Sequence, residues 1–442
     1  AITNTSPNTT TVNSLLANNG TGIVALTANG SGGTTLTAAN TFTGATAIST
    51  GSSLTVTGTG SLGSGTYAGT INHGGTFRYS SSANQTLSGI ISGTGSLIKD
   101  TSGSTLTLTA KNPYSGGTTV NTGMLNLGGT GGVDGIIIGE VTVNTGATLQ
   151  LNGGSVLGTG TTGLQVSAIH LIGGTMHNNV TTTNQTISNC AVNMTGAAIT
   201  GISGSNLDFF RGASTINSLA SATTSTVTTV SLTIRQATGL TITTADGAAA
   251  DDLHISSAIT NNGFPTAPLM KAGAGTLTLT NAWSFVQGAS TLNFTAPIQV
   301  DEGTLQIGNG GTAGTLPPGV SSVPAVTNNA TLKFNRSDAL AVANVIDGTG
   351  SLVQSGTGTT TLSAVNTYTG ETQVLTGTLS LANDCLADTS TVRISTGATL
   401  NLSHANTDTI DKLYVNGVQQ AAGLYKSASG VGAGTVLATL GG

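Results

Sequence analysis

The residues able to do chemistry are few and scattered. Asp251 and Asp252, with His254 two residues on, form the densest group. Paired carboxylates are the minimum for glycoside hydrolysis. Neighbours on one strand point to opposite faces, so these two cannot both meet a substrate from a regular strand. A solvated loop accounts for them. Asp301 and Glu302 precede Gly303, where turn chemistry explains both. Asp384 and Asp388 flank Cys385, at most a weak ion site. The run Thr130-Gly131-Gly132-Val133-Asp134-Gly135 has the look of a calcium-binding repeat, but one copy without tandem repetition builds no such site. His73, His170, His177, His254 and His404 show no zinc spacing, although His170 and His177 could approach each other across a turn. No nucleophile elbow or phosphate loop stands between a strand and a helix. The sequence therefore assigns no catalytic, cofactor-binding or metal-binding residue, and it calls for no cofactor.

What is regular is the frame. A first motif, Leu-[Ser/Thr]-Ala-x-Asn-x-[Phe/Tyr]-[Ser/Thr]-Gly, covers residues 36–44, 108–116 and 362–370, with a short copy at Leu279-Thr280-Asn281-Ala282-Trp283. Asn suits a corner because its amide bonds to nearby backbone and it tolerates positive φ. Phe42, Tyr114 and Tyr368 hold equivalent places and read as core or corner residues before they read as a sugar-stacking stripe. A second motif has an apolar β-former, Gly three residues on, then two alternating apolar residues. Its copies are Val120/Gly123/Leu125/Leu127, Val300/Gly303/Leu305/Ile307 and Val374/Gly377/Leu379/Leu381. With one residue more after the Gly come Ile48/Gly51/Leu54/Val56, Ile71/Gly74/Phe77/Tyr79, Val143/Gly146/Leu149/Leu151 and Ile394/Gly397/Leu400/Leu402. Val326/Asn329/Leu332/Phe334 replaces the Gly by Asn, which predicts a left-handed corner at that position.

Neighbouring copies start at Ile48 and Ile71, Val120 and Val143, Val300 and Val326, Val374 and Ile394, at intervals of 23, 23, 26 and 20 residues. Periods of this size mean stacked rungs. Strand-only rungs with Gly and Asn corners predict an all-β, parallel β-helix (β-solenoid). At roughly 23 residues each, 442 residues give about 19 rungs, roughly 90 Å long.

Composition agrees with ordered β-structure. Gly contributes 65 residues, while charged residues make up only 6% against an ordinary level of about 25%. Few Pro and abundant Thr, Val and Ile argue against disorder, and almost no helix is expected. A net charge of −5 without a basic cluster excludes nucleic acid as the natural partner. No apolar run is long enough to span a membrane as a helix. The chain begins at Ala1 with no Met and no signal peptide, which fits a processed secreted protein or a trimmed segment. Cys190 and Cys385 lie 195 residues apart, about eight rungs or 40 Å along a solenoid. Cα atoms must come within about 7 Å for a disulfide, so two buried free thiols are expected.

Three segments follow. Residues 1–32 form an N-terminal arm or first rung, 33–407 the parallel β-helix and 408–442 a C-terminal cap. In the cap, Tyr414-Val415-Asn416-Gly417-Val418 is a hairpin signal. Residues 226–234 and Leu240–Thr244 read as strands within a blurred stretch. Residues 308–325 read as a Gly/Pro loop leaving the body, and an insertion falls at 283–297.

The pattern GTGSL-x-K, then GTLTL, Asn-x-Tyr and GGTTVN-x-G-x-L-x-L, resembles the autotransporter-associated β-strand repeat of bacterial autotransporter passengers. Residues 93–127 and 348–381 match closely, and 34–56 and 270–307 in part, roughly a third of the chain together. The resemblance implies a right-handed β-helix and export to the cell surface. Right-handedness also follows the general rule for parallel crossovers. Autotransporters usually end in a membrane β-barrel, and this chain ends in Leu440-Gly441-Gly442. Either a barrel was removed, or this is a free-standing relative.

Function follows from these features as an expectation. The preferred reading is a non-enzymatic, extracellular structural subunit of a bacterial surface filament, sheath or matrix. It would self-associate through strand edges, with residues 1–13 adding to the open end of a neighbouring copy. The alternative is an autotransporter-type adhesin binding surface glycans through loops such as 308–325. A polysaccharide lyase or hydrolase is the third reading, with Asp251 as the residue to test.

Overall fold

The computed structural model describes residues 1–101, 103–160, 164–261, 264, 267–281, 283, 297–317, 325–426, 435–436 and 440–441. The fold is all-β, a parallel β-solenoid of about 17 turns. Among the described residues the one helical element is a 3-10 turn, Gly63–Gly65. The expected 19 rungs become about 17 because some turns are longer than 23 residues. Val141 pairs with Ile169, a step of 28, and Leu240 with Leu269, a step of 29. The chain resolves into two compact units, residues 1–216 with 228–231, and residues 217–227 with 232–442.

In the first unit the turns are built from three parallel sheets, two of which begin in the first turn and the third at Thr66. One carries Ile2–Asn4, Leu26–Ala28, Thr46–Ile48, Ile71–His73 and Ile91–Ser92. A second runs from Thr10–Val12 through Thr34–Leu36, Ser53–Gly58, Thr76–Ser81, Ser96–Lys99, Thr118–Val120 and Gly139–Asn144 to Val166–Ile172 and Ala191–Thr195. A third joins Thr66–Tyr67, Gln85–Leu87, Thr105–Leu108, Gly123–Leu127, Ala147–Leu151, Thr175–Asn178 and Ala198–Gly201. Residues 1–13 therefore supply two strands of the first turn.

Period-two alternation puts every second side chain inside. Because the ladder is parallel and in register, like then stacks on like. Leu106, Leu125, Leu149, Met176 and Ile199 form one column, all of them buried. Each such side chain stabilises the fold by about 1.5–3 kcal/mol through area removed from water.

The second unit repeats the plan. Leu240–Thr244, Leu269–Ala272, Ile298–Val300, Val326–Asn328 and Ile346–Asp347 form one ladder. Leu253–Ile255, Thr276–Leu279, Thr304–Ile307, Thr331–Phe334, Ser351–Gln354, Thr372–Val374, Thr391–Ile394 and Lys412–Val415 form another. Leu340–Val342, Thr359–Leu362, Thr378–Leu381 and Thr399–Leu402 make the third. The expected hairpin is present: Lys412–Val415 turns at Asn416 and Gly417, both at positive φ, into antiparallel Val418–Gln419.

The stacking partners read from the motifs hold at Val120 over Val143 and Val374 over Ile394. They fail by two residues elsewhere. Ile48 lies against His73 and Val300 against Asn328, because those turns contain 25 and 28 residues. The corner rule also needs correction. Gly51, Gly123, Gly146, Gly303, Gly377 and Gly397 have positive φ, but Gly74 and Asn329 do not. At Gly74 close packing rules instead, since a Cβ there would sit 2.6 Å from Thr50 Oγ1. The run 226–234 is two strands, Ser225–Val227 and Ser231–Arg235, broken where Thr229 takes a φ of +62°.

Candidate functional site

The acidic candidates are structural where the described residues place them. The expected solvated loop does not hold for Asp252: it is buried, and its carboxylate accepts the Gly247 N–H at 2.8 Å and the Thr276 N–H at 2.7 Å. Asp251 is half-buried beside it, and His254 Nε2 lies 2.7 Å from Thr280 Oγ1. Glu302 caps the Gly273 N–H at 3.1 Å, and Asp301 is exposed. Asp134, the one acid of the Gly-rich run, lies 3.8 Å from Lys111 Nζ and accepts the Leu164 N–H. His170 meets Asn193 and Glu140, whereas His177 bonds to Thr200 from another sheet. Asp384 and Asp388 are exposed on either side of buried Cys385. His404 and Asp408 approach to 3.0 Å with both side chains buried. Among the described residues no three His, Cys, Asp or Glu side chains are placed to hold a metal.

Cys190 and Cys385 are both buried free thiols, and burial pushes them up to about 12 and about 11. Phe42, Tyr114 and Tyr368 are at most 1% exposed, so the sugar-stacking stripe falls. The Tyr114 and Tyr368 hydroxyls instead pair with Thr118 and Thr372 at 2.6 and 2.8 Å, and burial raises both phenols.

The repeat asparagines do a backbone's work. Asn40, Asn112 and Asn366 are buried, and their Oδ1 atoms accept the N–H of Leu16, Ile91 and Ile346, one turn back, at 2.8–2.9 Å. Each Nδ2 returns to the carbonyl two residues earlier, and Asn112 Nδ2 also reaches Ile136 O at 3.1 Å. None of the three has positive φ, so hydrogen bonding, not left-handed tolerance, selects Asn here.

Sequence reasoning missed the lysines. Lys99 and Lys271 end an apolar alternation, with relative exposures of 0% and 1%. Lys271 Nζ donates to the carbonyls of Ala272, Gly273 and Glu302 at 2.6–2.9 Å. Lys99 Nζ donates to Thr101 and Thr122. Burial pulls both ammonium groups down to about 8. Gln354 holds the same motif place and bonds to Gly356 O at 2.8 Å. The signal was a charge on the inward phase of a strand.

Among the described residues, the second unit holds a cavity with a volume of about 680 Å³. Its walls include Thr280, Asn281, Trp283, Thr315, Arg336 and Asn344. The described part of the 308–325 loop is tied down rather than free. Trp283 Nε1 donates to Thr315 O at 2.7 Å, Arg336 Nη1 to Gly314 O at 2.6 Å and Asn344 Nδ2 to Pro317 O at 3.2 Å. The remainder of that loop, 318–324, and most of the expected insertion, 284–296, lie outside the described residues. Arg336 makes a bidentate pair with Asp338 at 2.8 and 2.7 Å, and that hydrogen bond holds the Asp338 carboxyl below its ordinary range.

The solenoid turns coincide with a known repeat. The sequence model of the passenger-associated-transport-repeat matches residues 26–52, 101–127, 269–307 and 352–381. The first, second and fourth matches carry Asn40, Asn112 and Asn366 with their aromatic partners, and the third carries buried Lys271. The chain thus carries the repeats of autotransporter passengers on a parallel β-solenoid. No curated protein and no solved structure matches the chain. No helix among the described residues is long and apolar enough to cross a membrane.

Proposed function

We propose that this chain is a non-catalytic, surface-exposed adhesin of the autotransporter-passenger type. The observation that carries the reading is the passenger-associated-transport-repeat at four places, each laid down as solenoid turns. A solenoid whose repeated side chains are absorbed by its own core and corners leaves recognition to the turns that depart from the repeat. The cavity beside Asn281 is such a place, since it is walled on one side by the matched repeat 269–307 and on the other by residues 312–317 and 336–344, which the repeat does not cover. The carboxylate of Asp252 is committed to two backbone N–H groups, which favours a structural role over hydrolysis. The test is adhesion. Beads coated with the chain should adhere to cell or matrix surfaces above beads coated with heat-denatured chain, and equal retention would overturn the reading.

A filament, sheath or matrix subunit is the second reading. It is favoured by a charge content of only 6%, which leaves little repulsion between packed copies. Light scattering and electron microscopy at rising concentration decide it: growing polymers support self-association, and a constant monomer sinks it.

A further inference from the structure

The corner asparagines make their exception informative. Asn40, Asn112 and Asn366 are held by backbone groups, as above. Asn281, in the short copy of the same motif, is 1% exposed, and neither its Oδ1 nor its Nδ2 has a partner. Leaving such an amide buried and unpaired is costly, and an apolar side chain would avoid that cost. Sites that keep a destabilising polar group are characteristically functional ones. Asn281 also lines the 680 Å³ cavity, whose size falls within the usual range for small-molecule sites.

The rest of the wall narrows the ligand. Trp283 is the only tryptophan in the chain, and its Nε1 bond to Thr315 O fixes the indole plane. Thr312 and Thr315 add hydroxyl groups, while the Thr280 hydroxyl is already held by His254. The one charged group among the described lining residues, Arg336, is already neutralised by Asp338. A phosphate or carboxylate ligand would have to break that pair. An apolar ligand would leave the Asn281 amide unsatisfied. What remains is an uncharged molecule with a flat apolar face and a rim of hydroxyls.

We infer that this cavity is a subsite for one neutral pyranose unit of a glycan, with Trp283 beneath the ring and Asn281 as the hydrogen-bonding anchor. The amide is closed off from water, so it engages the sugar by rotating toward the cavity. It has no hydrogen bond to break in doing so. The inference rests on the adhesin reading and gives it a ligand class.

Trp283 supplies the readout. The intact chain is titrated separately with glucose, galactose, mannose and N-acetylglucosamine while indole emission is followed. At least one sugar should give a saturable change, at least tenfold weaker in Asn281→Leu. That variant should melt at the same temperature or higher, since it removes an unpaired buried amide. Asn281→Asp, which keeps the volume and loses the donor, should weaken the same sugar and serves if the leucine variant does not fold. A flat response to all four sugars, or equal binding by the variants, overturns the subsite. Bead adhesion measured on the same proteins separates the two ideas. Adhesion that persists without any sugar response removes the subsite and leaves the adhesin reading standing. A sugar response without adhesion does the reverse.

Discussion

The N–H of Ile91 points at Oδ1 of Asn112, one turn ahead, across 2.8 Å. At this corner a side-chain amide replaces a strand partner, and the same atom pair recurs at Leu16 with Asn40 and at Ile346 with Asn366. Asn112→Leu fills the volume but leaves the Ile91 N–H and a carbonyl unpaired, at a cost of about 2–4 kcal/mol. Amide hydrogen exchange is the measurement, because long repeat arrays unfold in more than one step. Protection at Ile91 should fall by about two orders of magnitude or more. Unchanged protection at Ile91 would mean the asparagine is not its partner.

A second expectation concerns pH. Unfolded lysine titrates near 10.4, while burial holds Lys99 and Lys271 at about 8 in the fold. Between these values the unfolded chain binds protons that the folded chain does not, so stability rises with pH. The limiting slope is about 1.4 kcal/mol per pH unit for each lysine. The thiols act oppositely. Cys190 and Cys385 titrate at about 12 and about 11 when folded and near 8.5 when unfolded, so above roughly pH 9 they remove stability. The melting temperature should therefore climb from pH 7.5 to about 9 and then level. Because Gln354 already fills the equivalent corner, Lys99→Gln with Lys271→Gln keeps the cap without the proton. A climb that survives in that double variant would place its origin elsewhere.

The sequence disclosed the fold because identical spacing had to produce identical turns. The stacking of Val120 on Val143 was readable from the motif alone, and so was the Asn416-Gly417 hairpin. Register was less legible where a turn gained residues, as between Val300 and Asn328, since an added residue at a corner leaves the strand pattern untouched. The roles of Lys99 and Lys271 were hidden for a different reason. A lysine reads as exposed until a turn folds its carbonyls around the ammonium. The Asn281 cavity was invisible because it arises where a short copy of the repeat meets residues 312–317 and 336–344, which lie outside any copy.

Tyr114 and Thr118 form a buried pair at 2.6 Å, four residues apart, and Tyr368 with Thr372 repeats it at 2.8 Å. The hydroxyls satisfy each other inside an apolar stack, so removing one strands the other. Tyr114→Phe and Thr118→Val should each cost about 1–2 kcal/mol, and the double variant less than their sum. A coupling of about 1 kcal/mol is expected from amide hydrogen exchange of strand Thr118–Val120 in the four variants of the cycle. Strict additivity would show that the two groups do not interact.

Two kinds of glycine make the corners, and they should tolerate substitution differently. Gly146 has a φ of +78° and open space where a Cβ would go. Alanine there meets only the left-handed penalty, about 1–2 kcal/mol, and asparagine meets less of it. Gly95 has an ordinary φ, but a Cβ would lie 1.9 Å from Gly75 O and 2.6 Å from His73 Nδ1. No rotamer relieves that contact, because its nearest atom belongs to the backbone of the preceding turn. Gly95→Ala must therefore push two turns apart, costing about 3 kcal/mol or more. Side-by-side melts of Gly146→Asn, Gly146→Ala and Gly95→Ala should rank in that order of falling stability. If Gly95→Ala proved milder than Gly146→Ala, backbone angle rather than turn-to-turn contact would be what fixes glycine at these corners.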